Sequence, residues 1–447
     1  MRIRPILFWL HLVAGLTAGL VIGIMCFTGA ALAFEKDLVA WSERDARRVT
    51  PPAANVPRLT LTELAQRVNE TKADAQASGI VVSRDPRDAV TFMFGRDSAL
   101  YVNPYTGEVR TPASTWMHDT LQVLEDWHRV LAVGGDNRPV GKAINGACNI
   151  VFFFLAVSGL YLWWPRTWSW PGLKAVAVFN WKLAGKARDF NWHNAIGLWS
   201  APILIVLTLT ATPISYRWAG NLIYQLAGEE PPPIPGAPGG NATATPSSRE
   251  SSSSSAIKPP SLDARPLDRD AFIAAAQRQL PDWQTITFRL ANPQRNGGQP
   301  APRASVRPNG ANANGNETNS GPNSAIEDRE PKTKNPSGRS GVQPVTLIVK
   351  TPGTWPRTAT TTLTLDPYTS EMVRTEGFSD LTTGRQIRTW SRFLHTGEAL
   401  GVGGQLLAGL ACLGGCVLVY TGFALACRRF LGRKAAPPSL TSAKRAA

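Results

Sequence analysis

The chain has 447 residues, of which 43% are hydrophobic, and its formal net charge is +15 at pH 7. A basic chain of this length could bind nucleic acid if its positive charge covered one face. Most of the charge instead lies in three short segments that flank long apolar runs: Arg2 with Arg4, residues 165–192 and residues 428–447. This placement argues against nucleic acid as a partner and for a lipid bilayer.

Four apolar runs without charged residues are long enough to cross a bilayer as helices, which takes about 20 residues. They cover residues 5–34, 143–164, 195–216 and 399–427. Short basic flanks of membrane helices stay in the cytoplasm. We therefore predict a multi-pass membrane protein with four transmembrane helices, both termini in the cytoplasm and two large loops outside.

The chain contains an internal repeat. HLVAGL at residues 11–16 matches HNAIGL at 193–198, and YVNPYTGEVR at 101–110 matches TLDPYTSEMVR at 364–374. Both copies read helix, external domain, helix, and both have the same orientation in the membrane. Such parallel repeats pack around a pseudo-two-fold axis along the membrane normal. We therefore predict a tandem repeat of helix–domain–helix units that form a four-helix transmembrane bundle.

Both external loops have the pattern of an α+β domain. Residues 59–68 predict an amphipathic helix, and residues 89–94 with 98–104 predict a hairpin. Two low-complexity stretches, 228–264 and 293–342, are predicted to be disordered insertions in the second domain. The predicted segments are transmembrane helix 1 (1–34), external domain 1 (35–113), an amphipathic helix with transmembrane helix 2 (114–165), a basic cytoplasmic loop (166–192), transmembrane helix 3 (193–218), external domain 2 (219–390), transmembrane helix 4 (391–427) and a cytoplasmic tail (428–447).

The chain has only five histidines, and all lie near the ends of the predicted membrane helices: His11, His118, His128, His193 and His395. The repeat pairs His11 with His193 near the inner face and His128 with His395 near the outer face. A single histidine at a helix end is usually a polar interfacial residue. Two symmetric pairs favour instead two haem b groups, each held between two imidazoles in a helix bundle.

The residues around the histidines fit the same hypothesis. Gly15 and Gly197 follow the inner histidines by one turn and would leave room for a macrocycle. Lys182 and Lys186 could neutralise the inner haem carboxylates, and the outer ones could meet Arg129, Lys142, Arg388 and Arg392. The position of His118 on the chain leaves two readings open, an alternative outer ligand or a residue on the substrate side.

Several phrases together resemble the PepSY-associated transmembrane family, whose members are bacterial inner-membrane proteins often called iron-regulated membrane proteins. These phrases are FTGAALAF (27–34), NPYTGEV (103–109), DWHR (126–129), SGLYLWWPR (158–166), WHNAIGLWS (192–200) and LHTGEALGVGG (394–404). The resemblance implies two external PepSY-like domains with periplasmic loops. Some members are similar to haem-containing ferric-siderophore reductases, which implies haem ligation by His11, His128, His193 and His395. The chain departs from the pattern at Ser370, where its first copy has Gly107.

These observations predict a haem-dependent ferric reductase. Electrons would pass from a quinol or an unknown cytoplasmic donor to a ferric siderophore or another ferric chelate in the periplasm. Reduction weakens the hold of hard oxygen ligands on iron, which would release it. Two alternatives have no redox activity: a PepSY-domain regulator or peptidase inhibitor, and a transport-accessory membrane protein.

Overall fold

The computed structural model describes residues 3–52, 56–72, 76–95, 98–165, 169–233, 256–261, 264–290 and 342–431. The helices in these ranges are α1 (Ile3–Leu32), α2 (Glu35–Ser42), α3 (Arg44–Arg47), α4 (Leu61–Thr71), α5 (Trp116–Val130), α6 (Arg138–Trp163), α7 (Trp170–Ala177), α8 (Gly185–Ser215), α9 (Arg217–Leu226), α10 (Arg269–Gln279), α11 (Thr383–His395) and α12 (Val402–Phe430). Among them α1, α6, α8 and α12 are long and apolar enough to span a membrane, which confirms the four predicted spans.

The four spans form a bundle in which α1 and α8 are diagonal, because each of them packs against both α6 and α12. Ion pairs and hydrogen bonds join their ends that have basic flanks. Arg4 on α1 donates hydrogen bonds to carbonyls at the end of α6, including that of Leu162 at 3.3 Å. Arg428 on α12 forms a 3.0 Å ion pair with Asp189 near the start of α8.

The third span starts earlier than its apolar run indicates. Helix α8 begins at Gly185, eight residues before the predicted boundary at residue 193. The extra turns contain the buried carboxylate of Asp189, which is paired with both Arg188 and Arg428. Hydropathy marks the part of a helix that can lie in lipid, whereas paired charges allow the helix to continue into the polar interface.

The external segments form a single antiparallel sheet of eight strands. The strands are β1 (Gly79–Ser83), β2 (Val90–Phe94), β3 (Ser98–Val102), β4 (Val109–Arg110), β5 (Thr285–Arg289), β6 (Val345–Lys350), β7 (Thr361–Leu365) and β8 (Met372–Glu376). Their order is β4-β3-β2-β1-β5-β6-β7-β8, so the second half of the sheet mirrors the first. The halves meet where β1 pairs with β5, with Ile80 opposite Phe288.

One hydrophobic core serves both halves of the sheet. It contains Leu64 and Val68 of α4, Phe272 of α10, and the fully buried Ile80 and Ile286 of the two central strands. The sequence predicts an α+β domain in each loop but not that the two share a sheet. Alternation of apolar residues shows which face of a strand is buried, but it does not show which other strand pairs with it in the sheet.

Short elements connect the sheet to the spans. Lys36 on α2 forms a 2.6 Å ion pair with Glu398, just before α12. Gln405 in the first turn of α12 donates to the Ala33 carbonyl at 3.0 Å and to Asp37 at 2.8 Å. The outer ends of α1 and α12 are thereby joined. The predicted insertions at 228–264 and 293–342 lie mostly outside the described residues.

Candidate haem-binding histidines

His11 and His193 lie beside a single cavity of about 720 Å³ in the half of the bundle where α1 and α8 begin. Each is eight residues into its helix, so both lie two turns inside the bundle rather than at the helix start as the sequence indicated. Most of the lining is apolar, with Phe152, Leu155 and Phe423 among the wall residues. The volume is within the range of about 300–1,000 Å³ that is typical of ligand and cofactor sites.

A hydroxyl group holds each inner imidazole. His11 Nδ1 lies 2.8 Å from Ser158 Oγ, and His193 Nδ1 lies 2.9 Å from Thr421 Oγ1. Because these bonds engage Nδ1, the other ring nitrogen, Nε2, is the one available to a ligand. Metal-bound histidines in proteins are commonly oriented in this way by a hydrogen bond to the second nitrogen.

Glycines keep space open beside both inner rings. A Cβ on Gly159 would lie 3.4 Å from His11 Cε1, and one on Gly422 would lie 3.7 Å from His193 Cε1. Gly15 and Gly197 also line the cavity, and a Cβ on Gly15 would meet only Leu155 Cδ2 at 3.9 Å. The cavity is therefore shaped by four positions without side chains.

Three cations line the same cavity: Arg4, Lys186 and Arg429. The sequence suggested Lys186 for this role together with Lys182, which is not among the lining residues. The sequence did not indicate Arg4 and Arg429 for this role, because basic residues are expected in the cytoplasmic flanks of membrane helices in any case. Arg429 also stacks on Phe8, with its guanidinium carbon 5.1 Å from the ring centroid.

His128 and His395 form a second pair at the other end of the bundle. Their ring centroids are 6.2 Å apart and the ring planes are inclined at 46°. A metal–imidazole bond is about 2.0 Å long, so two imidazoles on opposite sides of one ion have centroids about 6 Å apart. The observed spacing fits a metal ion shared by the two rings.

Main-chain groups hold the outer imidazoles. His128 Nδ1 lies 3.1 Å from the Met25 carbonyl and 2.9 Å from Thr28 Oγ1, and His395 Nδ1 lies 2.9 Å from the Leu207 carbonyl. A carbonyl only accepts, so His395 donates from Nδ1 and keeps its lone pair on Nε2. Burial and the neighbouring His395 ring lower the pKa of His128 to about 4, so this ring is neutral at pH 7.

The two pairs are well separated along the membrane normal. Met25 follows His11 by 14 residues on α1, and Leu207 follows His193 by 14 residues on α8. At about 1.5 Å per residue this is about 21 Å along a helix. This separation is about two thirds of the thickness of a bilayer core, which is about 30 Å.

Of the other predicted outer residues, Arg129 is close enough to His128 for its charge to lower the pKa of that ring, and the remaining ones have contacts elsewhere. His118 precedes His128 by ten residues on α5, which is about 15 Å along the helix. Arg129 is paired with Glu125 at 2.5 Å, and the guanidinium of Arg392 lies 5.7 Å from the Phe393 ring centroid. Arg388 packs against Gly220, and Lys142 is exposed.

The side chains that could bind a metal favour one that already has most of its ligands, as the iron of haem does. Within the described part of the chain, no group of three or more His, Cys, Asp or Glu side chains could hold a metal ion. A protein-bound zinc ion usually takes three or four protein donors. Haem iron requires only axial ligands from the protein, and two imidazoles beside an apolar cavity with a basic rim fit such a group.

Comparison with known proteins gives a family but no close relative. A family model described as the PepSY-associated TM region matches residues 8–429. A search of curated proteins found no match. The matched region includes all four spans, the sheet and all five histidines. The chain therefore belongs to the PepSY-associated transmembrane family.

Proposed function

We propose that the protein is a haem b electron conduit of the bacterial inner membrane that reduces a ferric chelate, such as a ferric siderophore, in the periplasm. One observation carries the proposal: His11 and His193, on diagonal helices, lie beside one cavity of about 720 Å³, while a second pair of imidazoles, on α5 and α11, contacts the same two diagonal helices further along, at Met25 and Leu207. The halves of the chain would be two copies of one helix–domain–helix unit.

The residues of the chain have distinct parts in this proposal. His11 and His193 would ligate an inner haem, and His128 and His395 an outer one. A haem held by these residues would supply one-electron redox chemistry. The three cations of the inner cavity would neutralise haem carboxylates, and the apolar walls would exclude water from the site.

The direction of electron flow follows from the orientation. The basic flanks support a cytoplasmic side for the inner cavity, where a cytoplasmic reductant or a quinol could donate electrons. The outer pair and the sheet would face the periplasm. Reduction of Fe(III) to Fe(II) in a chelate with hard oxygen ligands weakens the complex, which suits a role in iron acquisition.

The visible spectrum of the purified protein tests the proposal. Protein expressed with sufficient haem and purified in detergent should show a Soret band and, after reduction by dithionite, the α band of haem b. His193→Ala should remove one of two haems, because the inner site loses an axial ligand. His118→Ala should keep both, since His118 is remote from either pair. A wild-type spectrum without a Soret band would refute the conduit and favour a regulatory or transport-accessory role.

A further inference from the structure

Side-chain hydroxyls contact both inner histidines but only one of the outer histidines. Side-chain hydroxyls of Ser158 and Thr421 contact Nδ1 of the inner histidines. Main-chain carbonyls of Met25 and Leu207 contact Nδ1 of the outer ones, and Thr28 adds a hydroxyl to only one of them. The Leu418 carbonyl is a further hydrogen-bond partner of His193, so among the four paired histidines only His11 is held at Nδ1 by a side chain alone.

The hydroxyl protons of Ser158 and Thr421 already have acceptors. Thr421 Oγ1 lies 2.8 Å from the Val417 carbonyl, and Ser158 Oγ lies 3.4 Å from the Leu155 carbonyl. A hydroxyl has one proton and two lone pairs, so a hydroxyl that donates to its own helix accepts from the imidazole. The inner histidines then carry their proton on Nδ1 and present an unprotonated Nε2.

Water cannot easily replace these hydroxyls. Thr421 is 0% exposed and Ser158 is 4% exposed. Their positions are also equivalent, since each directly precedes a glycine, Gly159 or Gly422, that packs beside the ring it holds. If the Ser158 hydroxyl were removed, the buried Nδ1–H of His11 would lose its acceptor, which is costly in a site without solvent. Loss of the Thr421 hydroxyl would leave His193 with the Leu418 carbonyl as its remaining acceptor.

We infer that Ser158 and Thr421 are positioning residues that tune the reduction potential of the inner haem, an inference that rests on the proposed function. An imidazole that donates from Nδ1 is a more basic ligand and stabilises Fe(III) over Fe(II). Removing the acceptor therefore shifts the inner haem to a more positive potential. The outer haem keeps its carbonyl acceptors and its potential.

Redox titration of the purified holoprotein tests this inference, with the α-band absorbance as readout. Thr421→Val keeps the shape of the side chain and removes the hydroxyl, and Ser158→Ala removes the other. In each variant we expect one of two midpoints to become more positive and the other to stay fixed, with the smaller shift in Thr421→Val because His193 keeps the Leu418 carbonyl. Thr421→Ser should restore the wild-type value. Thr17→Val is the control, because Thr17 lies on the same helix as His11 and bonds to the Val13 carbonyl of that helix.

The low-spin electron paramagnetic resonance spectrum gives a second readout, since a change in imidazole basicity moves the g-values of one haem only. Loss of one haem in Thr421→Val with retention in Thr421→Ser would also support the inference. Full haem content with unchanged midpoints and g-values in both variants would overturn it and leave the proposed function intact. Wild-type protein without haem would overturn both, so the two failures are distinguishable.

Discussion

Glycines shape the inner cavity as much as the histidines do. Gly15 lines the cavity, and a Cβ added there has only Leu155 within 4 Å. We expect Gly15→Ala to be tolerated and to leave the haem content unchanged. Gly15→Phe should fill the cavity and remove one haem although all four histidines are intact. Haem content and the thermal unfolding midpoint of each variant check this, and full haem content in a folded Gly15→Phe protein would contradict the assignment of the cavity.

Sequence reasoning reached part of the candidate site. The repeat alone paired His11 with His193, and the structure places both beside one cavity. Their ligation of haem stays a prediction. Ser158 and Thr421 were missed, because a small hydroxyl residue in an apolar helix is an ordinary packing residue until its neighbour across the bundle is known. The only available signal was their equivalence, one residue before Gly159 and Gly422.

The two halves also share a turn, at residues 103–107 in the first half and 366–370 in the second. It ends in Gly107 in the first half and in Ser370 in the second. Both residues have left-handed backbone conformations, with φ of 73° and 58°. In each turn the residue four positions earlier accepts a main-chain hydrogen bond from it, from Gly107 to Asn103 and from Ser370 to Asp366. The same turn therefore forms with glycine in the first half and with serine in the second.

At the level of elements, α4 shows how local sequence determines a helix start. Thr60 Oγ1 accepts from the Glu63 amide at 3.2 Å, and the Glu63 carboxylate accepts from the Thr60 amide at 2.8 Å. We expect Thr60→Ala to destabilise the external sheet by about 1 kcal/mol, because a helix N-terminus loses its cap. Thr71→Ala at the end of the same helix should have little effect. Equal losses in the two variants, measured by denaturant unfolding, would contradict the capping role.

Helices and strands of the external region were largely foreseeable, and their assembly was not. The amphipathic pattern of residues 59–68 corresponds to α4, and the predicted hairpin corresponds to β2 and β3. The junction of β1 with β5 depends on two segments about 200 residues apart. The sequence of either strand does not show whether its neighbour in the sheet comes from its own half of the chain or from the other half.

For the whole molecule, the orientation in the membrane is open to direct test. Lys174 on α7 and Thr375 on β8 are exposed and lie on opposite sides of the bundle in the proposed topology. In intact spheroplasts, an impermeant maleimide should label Thr375→Cys, and it should label Lys174→Cys only after lysis. The wild-type chain is the control for its own cysteines, of which Cys427 is exposed. The reverse labelling pattern would invert the topology and the direction of electron flow.

The mirrored strand order has a consequence for how the two halves of the chain can differ. The first half alone would end its sheet at β1 and leave a row of unpaired N–H and C=O groups. A two-fold rotation that pairs two such edges reproduces the observed order, as in a symmetric homodimer. In a homodimer both halves have the same sequence, whereas in one chain they can differ. Differences such as Ser158 against Thr421 can then alter one half without altering the other.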